Sequence, residues 1–253
     1  MITPDLSIII PAWQEADRIE NSLIKLSEYL RRNFWRNVEV LVVVAHSHDG
    51  TLEIARSKSG LFENYKVIDA GPRAGKGRDV RLAMQEARGD YKLFMDADLA
   101  TPLYHLKAVR KLKKENADVI IGVRNLQTSH RGLRKIISKT GNRLVKWVLD
   151  INIRDTQCGF KAFRGPVADD LFGAQTINGW GFDMELLAIA KKRGYRIQTI
   201  PIHDWNDVDG GTFDNTAIRG SLSTLKDLLT IKWNLLNGRY DQVSEPVSVV
   251  QES

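Results

Sequence analysis

The chain has 253 residues, 43% of them hydrophobic, and a formal net charge of +6. That length and apolar share suffice for a substantial core in one large domain or two merged lobes, and they exclude extended disorder away from the ends. The positive excess attracts anions, but its basic residues are interspersed with acids along helical stretches, as on a solvated face, so no nucleic-acid partner is expected.

Cys158 is the only cysteine, which rules out an intrachain disulfide and fits a reducing compartment. Met1 to Asp5 carries no basic region and does not read as a signal peptide. No apolar run approaches the roughly 20 residues of a membrane-spanning helix. A cytoplasmic protein is expected, with peripheral contact at the cytoplasmic face of a membrane left open.

Leu6 to Ile10 is a β-branched run stopped by Pro11, the pattern of a buried strand. Ile19, Leu23, Leu26 and Leu30 then recur at helical spacing. Val38 to Val44 predicts a second strand, ended by the polar turn His46 to Gly50, and Thr51 starts a helix towards Ser57. Val67-Ile68 is a short third strand before the segment Gly71 to Gly77. A helix over Arg78 to Ala87, a turn and a strand over Tyr91 to Met95 follow. Beyond them come a helix over His105 to Lys114 and a strand over Val119 to Ile121. The second half is less regular: a helix over Leu133 to Leu149, a short strand within Thr156 to Arg164, a helix over Phe182 to Arg193 ended by Gly194, a strand over Arg196 to Ile202, and an apolar-rich helix over Leu222 to Trp233. Asp241 to Ser253 is polar and reads as a flexible tail.

Alternating strands and helices predict an α/β fold with a mainly parallel central sheet. Ligands of such sheets bind beyond the carboxyl ends of the strands, so Pro11 to Glu15, His46 to Asp49 and Asp96 to Asp98 should gather on one edge. Asp96 and Asp98 end a hydrophobic strand one small residue apart, and their hard oxygens suit Mg²⁺ or Mn²⁺. Such an ion would neutralise a diphosphate leaving group. Gly71 to Gly77, with Arg73 and Lys76, supplies flexible backbone and positive charge for a diphosphate. It lacks the spacing of a P-loop or a dinucleotide fingerprint.

Ile10-Pro11-Ala12-Trp13-Gln14-Glu15, Gly75-Lys76-Gly77, Asp96-Ala97-Asp98 and Asp155-Thr156-Gln157-Cys158-Gly159-Phe160-Lys161 together resemble family 2 glycosyltransferases. The similarity covers roughly Leu6 to Tyr240, and the last motif is the most diagnostic for the polyprenyl- or dolichyl-phosphate sugar transferase subgroup. The resemblance implies a GT-A fold over residues 1–240, with a donor-binding half to about 124, a merged acceptor-side region over 125–240, and a tail over 241–253. It implies inverting transfer of a hexose from a nucleotide-diphosphate sugar to a polyprenyl phosphate. By that comparison Glu15, Lys76 and Asp96 bind the donor, with Pro11 and His46 as further donor-side candidates on the same edge, and Asp98 with Asp96 holds the metal and serves catalysis. Asp183 is a supporting residue first and a catalytic base second.

Arg134, Ser138 and Asn142 recur every four residues on one helix face and resemble the subgroup's acceptor region. With Arg124 and Gln157 they are the candidate acceptor-phosphate set, although a basic helix stripe would look the same. Gly210-Gly211 suggests a segment that closes over the donor. The absence of a spanning helix departs from many membrane-linked relatives and leaves room for a separate membrane protein partner.

One departure concerns the turn after the second strand. The family places an acidic pair there, whereas this chain has Val44-Ala45-His46-Ser47, with Asp49-Gly50-Thr51 retained. His46 or His48 either compensates or is a solvated turn residue. Two alternatives therefore stand: a glycosyltransferase with a soluble hydroxyl acceptor, using Asp183 as base, and a noncatalytic nucleotide-sugar-binding protein.

Overall fold

The computed structural model describes residues 3–124, 145, 148–151, 153, 155–205 and 217–241. Its strands are β1 (Leu6–Ala12), β2 (Val38–Ala45), β3 (Asn64–Gly71), β4 (Tyr91–Met95), β5 (Val119–Arg124), β6 (Phe160–Arg164) and β7 (Ile197–Ile202). The helices are α1 (Ala16–Arg32), α2 (Thr51–Ser57), α3 (Lys76–Glu86), α4 (Leu106–Lys114), α5 (Gly165–Ala174), α6 (Phe182–Lys192) and α7 (Ala217–Leu236). The seven strands form one sheet in the order β3-β2-β1-β4-β6-β5-β7. All pairings are parallel except the two made by β6, which runs against β4 and β5.

The inner strands read as continuous apolar runs because both faces of the sheet are covered. Side-chain alternation sends Ile8 and Ile10 to the α1 side, where they meet Ile19, Leu23 and Leu26, all fully buried. Ile9 points the other way, into a cluster with Val80, Ala83 and Met84 of α3. Truncating a sealed residue such as Leu23 to alanine removes packing worth about 2–5 kcal/mol.

Several boundaries differ from the sequence expectations. β1 continues through Pro11 to Ala12, α3 begins at Lys76, and β3 spans eight residues instead of two. β3 is an edge strand and half-exposed, so polar Asn64, Lys66 and Asp69 fit within it and mask its pattern. The helix α5 was not expected at all. Its signals are Pro166 in the first turn and the buried set Val167, Ala168, Leu171 and Phe172. The helix expected over Leu133 to Leu149 is described only near its end, where Val145 and Leu149 are helical and buried.

Candidate active site

The carboxyl ends of β1, β2 and β4 lie side by side, since β1 pairs in parallel with both neighbours. Because β6 is antiparallel, its beginning arrives at the same edge. Met95 pairs with Phe160, and the Asp96 amide donates to the Gly159 carbonyl at 3.2 Å. Reversal of one strand thus brings the Asp155 to Gly159 motif against the Asp96-Ala97-Asp98 turn.

Gln14 and Leu99 both adopt left-handed backbone, with φ of 54°. Such conformations are uncommon for side chains larger than glycine and collect at functional loops. The bend at Gln14 lets the Glu15 amide reach Thr51 Oγ1 at 2.9 Å and the Ala16 amide reach Asp49 Oδ2 at 3.1 Å. Asp49 also accepts from Thr51, so the retained Asp49-Gly50-Thr51 stretch ties the β2 turn to the start of α1.

Asp96 and Asp98 share the next turn. Lys76 Nζ donates to Asp96 Oδ1 at 2.5 Å, while Asp98 Oδ1 accepts the Ala100 amide at 2.9 Å. Burial and then the Asp96 charge push the Asp98 carboxyl above the usual aspartate value, against the pull of the Ala100 amide, Arg18 and Lys76. Burial works to lower the Lys76 ammonium, but Asp96 and Asp183 outweigh it and keep it above the ordinary lysine value. Glu15 faces the same acidic group. Burial, with Asp98, Asp96 and Asp49, overcomes the opposing Arg18 and raises its carboxyl to about 7.

Among the described residues no group of three or more acidic, histidine or cysteine side chains is arranged to hold a metal alone. The donor set fits a hard divalent cation that draws its remaining ligands from substrate phosphates and water, a usual arrangement for Mg²⁺. Of the two carboxylates, Asp96 already answers the Lys76 ammonium, whereas Asp98 accepts from a backbone amide.

The glycines of Gly75-Lys76-Gly77 serve close packing. A Cβ on Gly75, whose φ is 121°, would lie 2.3 Å from the Asn178 carbonyl oxygen, and one on Gly77 would lie 2.6 Å from Phe182 Cβ. The motif is seated against the segment that carries Trp180 and Asp183. Arg73 stacks on Trp13 at 3.4 Å, joining this loop to the one after β1.

Behind that segment lies a second ion pair. Lys161 Nζ, fully buried, donates to Asp183 Oδ1 and to the Cys158 carbonyl, both at 2.6 Å. Burial raises the Asp183 carboxyl above its ordinary value, opposed by Lys161 and Lys76. In the sequence Lys161 stands out only as the last residue of the Asp155 to Lys161 motif. Its signal was a lysine in the apolar strand Phe160–Arg164, which demands a buried acidic partner. Cys158 is sealed, and burial raises its thiol to about 11, consistent with a packing role.

Arg124 is held by Asp155 through its amide at 3.1 Å, Nε at 2.7 Å and Nη2 at 3.0 Å, and it lies over Trp205 at 5.0 Å. Gln157 is exposed and its amide donates to Asp155 at 3.2 Å. Arg134, Ser138, Asn142, Gly210 and Gly211 lie outside the described residues. At the end of β2, Ala45 is buried, and an open cleft of about 270 Å³ is lined by His46, Ser47, His48 and Asp69. His46 Nε2 stands 3.4 Å from Asp69 Oδ1, so this histidine faces the cleft with a carboxylate beside it.

The mainly parallel sheet with an acidic turn at its carboxyl edge is that of a GT-A fold glycosyltransferase, and the chain belongs to glycosyl transferase family 2, whose sequence signature matches residues 7–172. The dolichyl-phosphate β-glucosyltransferase of Drosophila melanogaster is 34% identical over 81% of this chain and 68% of its own length. The enzyme of the same name from Saccharomyces cerevisiae is 30% identical over 93% of this chain and 76% of its own. Among solved structures, mannosyl-3-phosphoglycerate synthase from Rubrobacter xylanophilus superposes with a TM-score of 0.71 at 18% identity, covering 97% of this chain and 78% of that one. Glucosyl-3-phosphoglycerate synthase from Mycobacterium tuberculosis, solved with Mn²⁺, uridine diphosphate and glucosyl-3-phosphoglycerate, gives 0.66 at 18% identity over 91% and 80%.

Proposed function

We propose that the protein transfers glucose from a nucleotide-diphosphate donor to a polyprenyl phosphate, with inversion at the anomeric carbon. The sugar and acceptor follow the names of its family 2 relatives. Residues 1–240 act as one GT-A domain, with the donor held by the half ending near Arg124.

The observation that carries the acceptor class is the state of Asp183. It is 3% exposed and paired to Lys161, poorly disposed to take a proton from an incoming hydroxyl. A phosphate oxygen is already anionic near neutral pH and needs no base. It attacks the anomeric carbon, a new carbon–oxygen bond forms, and the bond to the diphosphate breaks. The protein aligns the two substrates and stabilises the departing charge. Lys76 faces that charge across Asp96, and Pro11, Glu15 and His46 border the nucleotide. Mg²⁺ or Mn²⁺ held by Asp98, with Asp96, would neutralise the leaving diphosphate. Arg124, Arg134, Ser138, Asn142 and Gln157 are assigned to the acceptor phosphate.

The test is transfer from a panel of labelled nucleotide-glucose donors to polyprenyl phosphate in the presence of Mg²⁺ or Mn²⁺. Formation of a glucosylated lipid is the expected result. Folded protein that glucosylates only soluble hydroxyl acceptors, or none with any donor, overturns the proposal.

A further inference from the structure

We infer that the C-terminal part of α7 is a docking face for an anionic membrane surface. α7 packs on the core through Leu228, Ile231 and Asn234, all buried. On its other side Leu225, Leu229, Trp233 and Leu236 are 40%, 59%, 66% and 71% exposed. At about 100° per residue these four fall within a sector of about 80°. Lys226 and Lys232, both exposed, lie on the two flanks of that sector. A single exposed leucine needs no explanation, but four large apolar side chains in one stripe do.

The flanking charges select the occupant. Apolar side chains enter the boundary between headgroups and acyl chains, tryptophan sits well at that depth, and the lysine ammoniums remain with anionic headgroups. Among the described residues the helix has one acid beyond Ser223, Asp227, and it points away from the stripe towards Gly181. No helix of the described residues is long and apolar enough to cross a membrane, so this face would lie on the surface.

The stripe is also connected to the candidate active site. The Gly181 amide is bonded to the Asp227 carboxylate, and a Cβ on Gly181 would fall 2.4 Å from it. Trp180, the preceding residue, is 53% exposed, and its ring lies 5.2 Å from Lys76 Nζ. The helix that rests on lipid is therefore tied through one glycine to the segment beside the Lys76–Asp96 pair. The inference takes its purpose from the lipid-phosphate acceptor proposed above, which docking would present at that segment.

Flotation of the full chain with phosphatidylcholine vesicles, and with mixed phosphatidylcholine and phosphatidylglycerol vesicles, tests it without any donor. Wild type should float with the mixed vesicles more strongly than with the neutral ones. Leu229→Glu with Trp233→Glu should remain in the soluble fraction, and Lys226→Glu with Lys232→Glu should bind the mixed vesicles about tenfold or more weakly. Circular dichroism and transfer to a short-chain polyprenyl phosphate in detergent should be unchanged in both variants. Wild type that ignores both vesicles, or a stripe variant that floats as well as wild type, overturns the inference. So does a wild-type dimer that becomes monomeric in the stripe variant without vesicle binding, since the stripe is then a protein contact. Transfer to the short-chain acceptor without flotation leaves the proposed reaction standing; flotation without transfer does the reverse.

Discussion

Lys161 and Asp183 meet at 2.6 Å with both side chains sealed from solvent, one from β6 and the other from the first turn of α6. An uncompensated charge at that depth is strongly unfavourable, whereas a matched apolar pair is often tolerated. Lys161→Met should therefore lower the unfolding free energy by about 3–5 kcal/mol, and Lys161→Met with Asp183→Leu should recover much of the loss. Urea unfolding of the two single variants and the double variant measures this. Equal loss in the double variant would show that the pair acts through packing and not through charge.

Gly159 is the contact between the Asp155 motif and the acidic turn. A Cβ there would fall 1.9 Å from Asp96 Oδ2, nearer than any real contact, so Gly159→Ala must displace the Asp96 carboxylate. Transfer activity should fall by about 10²-fold or more, the scale of losing one charge-stabilising group, while the circular dichroism spectrum stays native. Assays with saturating donor and acceptor separate this outcome from weakened binding.

The parallel part of the sheet was legible because its strands are buried on both faces and read as unbroken apolar runs, as in Val38–Ala45. The gathering of Glu15, Asp49, Asp96 and Asp98 on one edge followed from the alternation of strands and helices, which puts the carboxyl ends of parallel strands together. The reversal of β6 was not legible, since nothing within Phe160–Arg164 states its direction. That reversal brings Gly159 to Asp96 and Lys161 to Asp183. The glycines of Gly75-Lys76-Gly77 were read as backbone freedom for a phosphate, yet they seat the loop against Asn178 and Phe182, partners about a hundred residues away. Local patterns located the acidic site, and long-range contacts decided how its motifs meet.

The proposed divalent cation would draw its protein charge from Asp98 and Asp96, of which Asp96 is paired with Lys76 while Asp98 accepts from the Ala100 amide. Asp98→Asn should lose about 10²–10³-fold in metal-stimulated transfer. It should also lack the rise in thermal stability expected of wild type with Mn²⁺ and nucleotide diphosphate, which would bind only the folded state. Calorimetric titration of Mn²⁺ in the presence of nucleotide diphosphate provides a reading independent of turnover. A variant that binds Mn²⁺ as wild type does would remove Asp98 from the metal site.

Glu15 sets a pH dependence whose sign can be worked out. Its folded carboxyl titrates at about 7 against an ordinary value of 4.5, chiefly through burial, with the charges of Asp98, Asp96 and Asp49 adding to it. In that interval the folded state holds the proton that the unfolded chain has released. Stability from this group is full below about pH 4.5 and is lost as pH rises through about 7. Glu15→Gln cannot ionise, so its melting temperature should decline less than that of wild type across the same interval, in buffers free of divalent cations. Added Mn²⁺ should narrow the difference, since a cation near Asp98 offsets the repulsion and favours ionised Glu15. Parallel pH–melting curves for the two proteins test the assignment; superimposable slopes would place the titration at another group of the acidic edge.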